Sequence, residues 1–310
     1  MSTSSSTGFG SSRRTALALG AGAALSLALP LGGSAYASAP GGDGIGARLR
    51  ELEQRHSARL GVYAHDVRTG RTIAYRAGER FPMCSVFKTL AVAAVLRDLD
   101  HDGTFLARRI RYTAAEVRRA GWSPVTGEPE NLACGMTVSE LCDATLRFSD
   151  NTAANLLLRE LGGPTAVTRF ARSVGDPTTR LDRWEPELNS AEPWRETDTT
   201  TPRAIGRTYG RLLLGGALAP RDRERLTGWM LGNTTSVERF RKGLPADWAL
   251  ADKTGGGRYG SNNDAGVTWP PDGGPIVLAV LTTRDAEDAA PVDALVAETA
   301  SVLAAELRSR

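Results

Sequence analysis

Strand-type patterns occur at both ends of this chain and are absent from its middle. Near the start, "GVYAHDV" and "RTIAYRA" alternate apolar and polar residues on either side of "RTG", the pattern of a β-hairpin. Near the end, "WALADKTG", "DAGVTWP" and "PIVLAVLTTR" repeat the strand pattern, with the turn-forming "PPDGG" between the last two. From Ser85 to about Gly232 the periodicity is mostly helical, as in "SVFKTLAVAAVLRDL", "TVSELCDATLRF" and "NTAANLLLREL". Helical patterns also flank the strands, at "GARLRELEQRHSARL" (46–60) and "PVDALVAETASVLAAELRS". The expected fold class is mixed α/β (α+β): an antiparallel sheet flanked by N- and C-terminal helices, with an inserted all-helical subdomain. A cleft between the two parts is the natural place for a site.

The first residues read as a targeting segment. Arg13-Arg14 precede an Ala/Gly-rich apolar run from Ala16 to about Leu31, which ends in small residues at Ala35-Tyr36-Ala37. Paired arginines before a weakly apolar run point to the twin-arginine route, with residues 1–37 as signal peptide and 38–310 as the exported domain. The run is short and broken by Pro30, which argues against a membrane anchor. Within 38–310, about 38–83 and 232–310 form the α/β part and about 84–231 the helical part. A net charge of +3 with scattered arginines is too small to argue for a nucleic-acid partner, and none is expected. His56, His65 and His101 are far apart and lack ligand spacing, so neither a metal nor a cofactor is expected. Cys84, Cys134 and Cys142 are read as free thiols, since a domain of this size needs no covalent staples.

The chemistry-bearing residues stand out against an arginine-rich background. The only lysines are Lys88, Lys242 and Lys253. Lys88 lies three residues after Ser85, and on a helix i and i+3 share a face. A lysine there can lose its proton to activate a serine, which an arginine effectively cannot. In "FSDNTAAN", Ser149 and Asn151 fall where one helical run stops and another starts; they suit a proton-relay hydroxyl and an amide for a substrate carbonyl, although Asp and Asn also cap helices. In "ADKTGGGRYG", Lys253 and Thr254 end an apolar strand beside Gly255 and Gly256, where backbone can approach an anionic ligand closely. In "DRWEPELNS", Glu185 and Asn189 sit in an aperiodic stretch that Arg183 and Asp198 can close into an Ω-loop. Glu185 there suits a base that activates water.

Taken in order, Ser-x-x-Lys, Ser-Asp-Asn, Glu-Pro-Glu-Leu-Asn and Lys-Thr-Gly resemble the motif set of the class A serine β-lactamases. The resemblance spans nearly the whole chain after the leader. It implies a monomeric enzyme acting on a small-molecule β-lactam: Ser85 as nucleophile, Lys88 in its proton network, and Ser149 as proton donor to the leaving nitrogen. It further implies Glu185 with Asn189 as the deacylating pair, Asn155 as the brace of Glu185, and a cis Glu185-Pro186 bond. Asn151 would hold the substrate's side-chain carbonyl, Lys253 and Thr254 its carboxylate, the backbone of Ser85 and Gly256 the oxyanion, and Trp122 the cleft wall.

The chain also departs from common members of that family. Asn262 occupies the place of a frequent carboxylate-binding arginine, and Arg239 matches an alternative source of that guanidinium. Cys142 faces Val92 where some members have a disulfide partner. Cys84 resembles a half-cystine whose partner position here is Gly257, which puts carbapenem turnover in doubt. A penicillin-binding DD-peptidase shares the Ser/Lys and Lys-Thr-Gly elements, but "EPELN" argues against it; a tethered β-lactam sensor would need an anchor.

Overall fold

The computed structural model describes residues 42–308, so the leader read at residues 1–37 lies outside the described residues. Five strands form one sheet: β1 (Arg59–Asp66), β2 (Thr72–Tyr75), β3 (Ala249–Gly256), β4 (Asn262–Trp269) and β5 (Ile276–Thr283). Their order is β2-β1-β5-β4-β3, and every pairing is antiparallel. The β1–β2 hairpin turns where the Asp66 carboxylate accepts the backbone N–H groups of Arg68 and Thr69, with Gly70 at φ +73°. An unbroken register joins β1 to β5, from Arg59 opposite Thr283 to Asp66 opposite Ile276. The two ends of the chain therefore build one sheet between them.

Alternation along these strands divides the core in two. Leu60, Val62, Ala64, Ile276, Leu278 and Val280 pack with the N-terminal helix (Gly42–Arg55) and the C-terminal helix (Asp293–Arg308). Tyr63, Ala251, Ala265, Val267, Ala279 and Leu281 face the helical region instead. Burial on both faces explains why "IVLAVLTT" reads as a continuous apolar run. The helix Phe87–Ala94 is buried at all eight positions, its polar residues Lys88 and Thr89 included. The helix Val138–Arg147 begins with a capping box between Thr137 and Glu140.

One helical expectation ran too far. The periodicity of 46–60 suggests a helix to Leu60, but the helix ends at Arg55 and β1 starts at Arg59. Ser57 reverses the chain at φ +47°, and the Leu60 N–H is taken by the Glu53 carboxylate. Burial of Leu60 and Val62 against both terminal helices outweighs the local helical pattern.

The short helix Phe240–Gly243 packs against the C-terminal helix so tightly that a Cβ on Gly243 would collide with the Ala297 carbonyl oxygen. Ser301 Oγ also donates to the Gly243 carbonyl at 2.7 Å. Gly243→Ala should therefore destabilise the protein by about 1–3 kcal/mol, as overpacking does, lowering Tm by roughly 2–4 °C per kcal/mol. Differential scanning calorimetry measures this; a Tm within one degree of wild type (about 0.5 kcal/mol or less) would show that the two helices separate freely.

Candidate active site

Ser85 sits in a single 3₁₀ turn, Cys84–Val86, that leads into the helix Phe87–Ala94. Cys84 has φ +47°, a left-handed conformation uncommon for a side chain with a Cβ. The turn is held from several directions. Tyr209, fully buried on the helix Pro202–Leu213, donates its hydroxyl to the Val86 carbonyl at 2.8 Å. The Met83 N–H donates to the Asp198 carbonyl at 3.0 Å. A Cβ on Gly255 would lie 2.8 Å from Met83 O and 3.1 Å from Ser85 N, so β3 can lie this close only with glycine there.

Ser85, Lys88 and Glu185 meet although 100 residues separate the first from the last. The Ser85 hydroxyl donates to Glu185 Oε1 at 3.2 Å. Lys88 Nζ pairs with the same oxygen at 3.0 Å, and both of those side chains are fully buried. The i, i+3 spacing suggests a direct Ser85–Lys88 bond; instead the two converge on one carboxylate oxygen, because the loop carrying Glu185 inserts it there. Lys88 Nζ also donates to Asn151 Oδ1 at 2.7 Å, to the Ser149 carbonyl at 2.8 Å and to Ser149 Oγ at 3.3 Å.

Ser149 occupies the junction read from the sequence, between helices Val138–Arg147 and Asn151–Glu160, with φ +56°. Asp150 between them is a capping residue and more. Its carboxylate accepts from Ala153 N at 2.8 Å, and from Val125 N, Thr126 N and Thr126 Oγ1, which ties the junction to the segment after Trp122. Asn151 Nδ2 donates to the Ala120 carbonyl at 3.0 Å, and Asn151 N to the Trp122 carbonyl at 2.8 Å. Trp122 is 64% exposed and donates its indole N–H to the Phe148 carbonyl, so it is a rim residue and not core.

The loop around Glu185 is closed as its sequence suggests. Arg183 Nε donates to Asp198 Oδ2 at 2.6 Å, and Asp198 Oδ1 accepts from the backbone N–H groups of Asp182 and Arg183. Asn155 braces Glu185 through its backbone: Nδ2 donates to the Glu185 carbonyl at 2.8 Å and Oδ1 accepts from Glu185 N at 3.0 Å. Asn189 Nδ2 donates to Glu185 Oε2, while the buried Asn189 Oδ1 has no partner among the described residues. The Glu185-Pro186 bond is cis.

On the sheet side, Lys253 is fully buried in β3, with Nζ donating to the Thr254 carbonyl at 3.0 Å. Burial first, then the charge of Lys88, pushes its pKa down to about 7, against the opposing pull of Asp252 and Asp264. Burial in turn raises the carboxyls of Asp252 and Asp264. Thr254 Oγ1 hydrogen-bonds Thr235 Oγ1, a partner that no motif or periodicity in the chain points to. Arg239 sets Nη1 against the carbonyls of Gly255 (3.3 Å) and Asn263 (3.1 Å), while its Nε donates to Asp293 Oδ1 at 2.7 Å. Asn262 Nδ2 shares that Asp293 oxygen. Gly256 is exposed at the strand end. Among the described residues no group of three or more His, Cys, Asp or Glu side chains is arranged to hold a metal ion.

A serine, a lysine and a carboxylate in one buried network are the kinds of group that can form and hydrolyse an acyl-ester. A sequence profile of the "Beta-lactamase enzyme family" matches residues 45–307. The chain belongs to that family. It is similar to a β-lactamase of Streptomyces lavendulae, 70% identical over 301 residues covering 97% of this chain and 99% of that protein. A β-lactamase of Streptomyces albus G is 64% identical over 305 residues, covering 96% and 97% of the two chains. The solved structure of the β-lactamase from Streptomyces albus G superimposes with a TM-score of 0.84 at 67% identity, covering 84% of this chain and 98% of that one. The antiparallel sheet with flanking helices is the architecture of these enzymes, and the chain is a class A serine β-lactamase.

Cys84, Cys134 and Cys142 are all unpaired, with Cys84 and Cys142 buried. A Cβ on Gly257 would lie 2.8 Å from Cys84 Sγ, close to the spacing across a disulfide. The thiol introduced by Gly257→Cys should therefore oxidise with Cys84 to form a bridge. Thiol titration in denaturant should then find two free thiols in the oxidised variant; four would show that the two segments do not hold this approach.

Proposed function

We propose that this β-lactamase is exported, hydrolyses the lactam amide of penicillins and cephalosporins, and so confers resistance to them. Residues 1–37 serve as a twin-arginine signal peptide, and 38–310 act as a monomeric catalytic domain whose α/β part (about 38–83 and 232–310) and helical part (about 84–231) enclose the site. Among the described residues no helix is long and apolar enough to cross a membrane.

The observation that carries the mechanism is the convergence of the Ser85 hydroxyl and the Lys88 ammonium on Glu185 Oε1, at 3.2 and 3.0 Å. Ser85 Oγ attacks the lactam carbonyl as its proton passes into the Glu185–Lys88 pair. The charge that develops on the carbonyl oxygen is met by the backbone N–H groups of Ser85 and Gly256. The C–N bond then breaks and the nitrogen takes a proton from Ser149, which Lys88 Nζ resupplies through its 3.3 Å contact. Asn151 holds the substrate's side-chain carbonyl, Trp122 walls the cleft, and Lys253, Thr254 and Arg239 receive the carboxylate beside Gly255. In the second half, Glu185 takes a proton from a water that attacks the ester carbon. Asn189, with Nδ2 on Glu185 and Oδ1 unpartnered, is placed to accept from that water. The proton then returns to Ser85 Oγ as the acid leaves.

Glu185→Gln can still hydrogen-bond a water through its amide but cannot take the water's proton. Mixed with benzylpenicillin, the variant should stall with the ligand mass attached at Ser85, read by intact-mass spectrometry within minutes. Wild-type turnover without an adduct would remove Glu185 from deacylation.

Lys253 supplies a pH test. With its pKa pushed down to about 7, the ammonium form is present below that pH and lost as pH rises through it. Because kcat/KM reports the free enzyme, its value for benzylpenicillin should fall on the alkaline side from about pH 7. Lys253→Arg, which stays charged, should remove that limb. A wild-type profile flat to about pH 9 would show that the lysine holds its proton.

A further inference from the structure

We infer that Asn263 is a positioning residue for acylation, acting through the turn that presents Ser85. This rests on the reading of Ser85 as nucleophile. Asn263 lies in β4, fully buried. Its Nδ2 donates to two consecutive carbonyls, Pro82 O at 2.9 Å and Met83 O at 3.1 Å. Its Oδ1 accepts from Thr282 N in β5 at 3.2 Å. Both donors and the acceptor of the amide are thus engaged, and they connect two sheet strands to the residues just before Cys84 and Ser85.

Those two carbonyls belong to the segment that must enter the left-handed Cys84 conformation, φ +47°. Met83 O also lies where a Cβ on Gly255 would meet it at 2.8 Å, and Ser85 N at 3.1 Å from the same point. The Asn263 amide therefore sets how far the turn sits from β3. That separation fixes the Ser85 N–H relative to Gly256, the two groups that face the developing oxyanion. No other side chain is seen to donate to Pro82 O or Met83 O among the described residues. With those bonds gone Pro82 O is left without a side-chain donor and Met83 O keeps only the Val86 N–H at 3.3 Å, so the turn relaxes. Asn263 has a different task from Lys88 or Glu185: it moves no proton and touches no substrate.

The test uses the full mature enzyme with Asn263→Ala, and Asn263→Leu if the alanine variant is not recovered folded, since leucine fills the same space but cannot donate to the two carbonyls. Activity is expressed per active site, titrated by covalent burst, so that misfolded protein does not count. Acylation by nitrocefin, followed by stopped flow, should slow at least tenfold. The inhibition constant for phenylboronic acid, which forms a tetrahedral adduct on the serine oxygen, should rise by a similar factor. A lowered Tm with both constants within threefold of wild type would overturn the proposal and leave Asn263 a packing residue. Ser85→Ala separates the two readings. If it retains turnover or boronate binding, the nucleophile assignment itself fails. If it loses both while the Asn263 variants stay wild type, only the positioning role fails.

Discussion

The Lys88–Glu185 ion pair, 3.0 Å long with both side chains fully buried, is the interaction on which the rest of the site depends. Removing two charges from water costs several kcal/mol each unless the partners and their remaining lone pairs and protons are satisfied. Here Lys88 is satisfied by the Asn151 side chain and the Ser149 carbonyl. Glu185 is satisfied by Ser85 and Asn189, and its backbone is clamped at both polar atoms by Asn155. The partners come from the Cys84–Val86 turn and the helix Phe87–Ala94, the helical junction at Ser149 and the Arg183–Asp198 loop. Each element therefore has to be in place before the pair can be buried, which couples the chemistry to completion of the fold.

A second buried cation makes the balance tighter. Lys253 enters from the sheet, where burial and the nearby charge of Lys88 both disfavour its proton. Asp252 and Asp264 offset this from beneath, at the cost of their own raised carboxyls. Arg239 adds positive charge beside Gly255 and is itself offset by Asp293. Each of these cations thus has acidic partners, fully buried Asp252 and Asp264 for Lys253 and the partly exposed Asp293 for Arg239. Under the proposed mechanism the substrate's carboxylate meets this positive charge, and the acids of β3 and β4 act on it through Lys253.

Much of this was legible in the residues. The β1–β2 hairpin, the three C-terminal strands and the flanking helices follow from periodicity, because a period of two or of 3.6 residues reports which face is buried. The closure of the Ω-loop by Arg183 and Asp198 was also readable, since an aperiodic stretch bounded by opposite charges has few ways to satisfy them. The end of the first helix was less legible: Leu60 fits a helical pattern as well as a strand, and only packing against β5 and the terminal helices decides.

The order of Ser85, Lys88, Ser149, Asn151, Glu185 and Lys253 along the chain is the basis of the proposed chemistry, because side-chain type limits which group can attack, donate or accept. The sequence by itself therefore determined the strands, the helices and the inventory of reactive groups. Tertiary structure alone decided that Ser85 and Lys88 meet through a Glu185 oxygen rather than by a bond of their own. It also decided that Thr235 bonds Thr254, that Tyr209 and Asn263 bond the backbone around Ser85, and that the Cys84 thiol lies against Gly257. The physical reason is the same in each case. Periodicity and motif report contacts between near neighbours in the chain, whereas these contacts join distant segments, and their geometry is set by how closely the sheet, the helices and the loop pack.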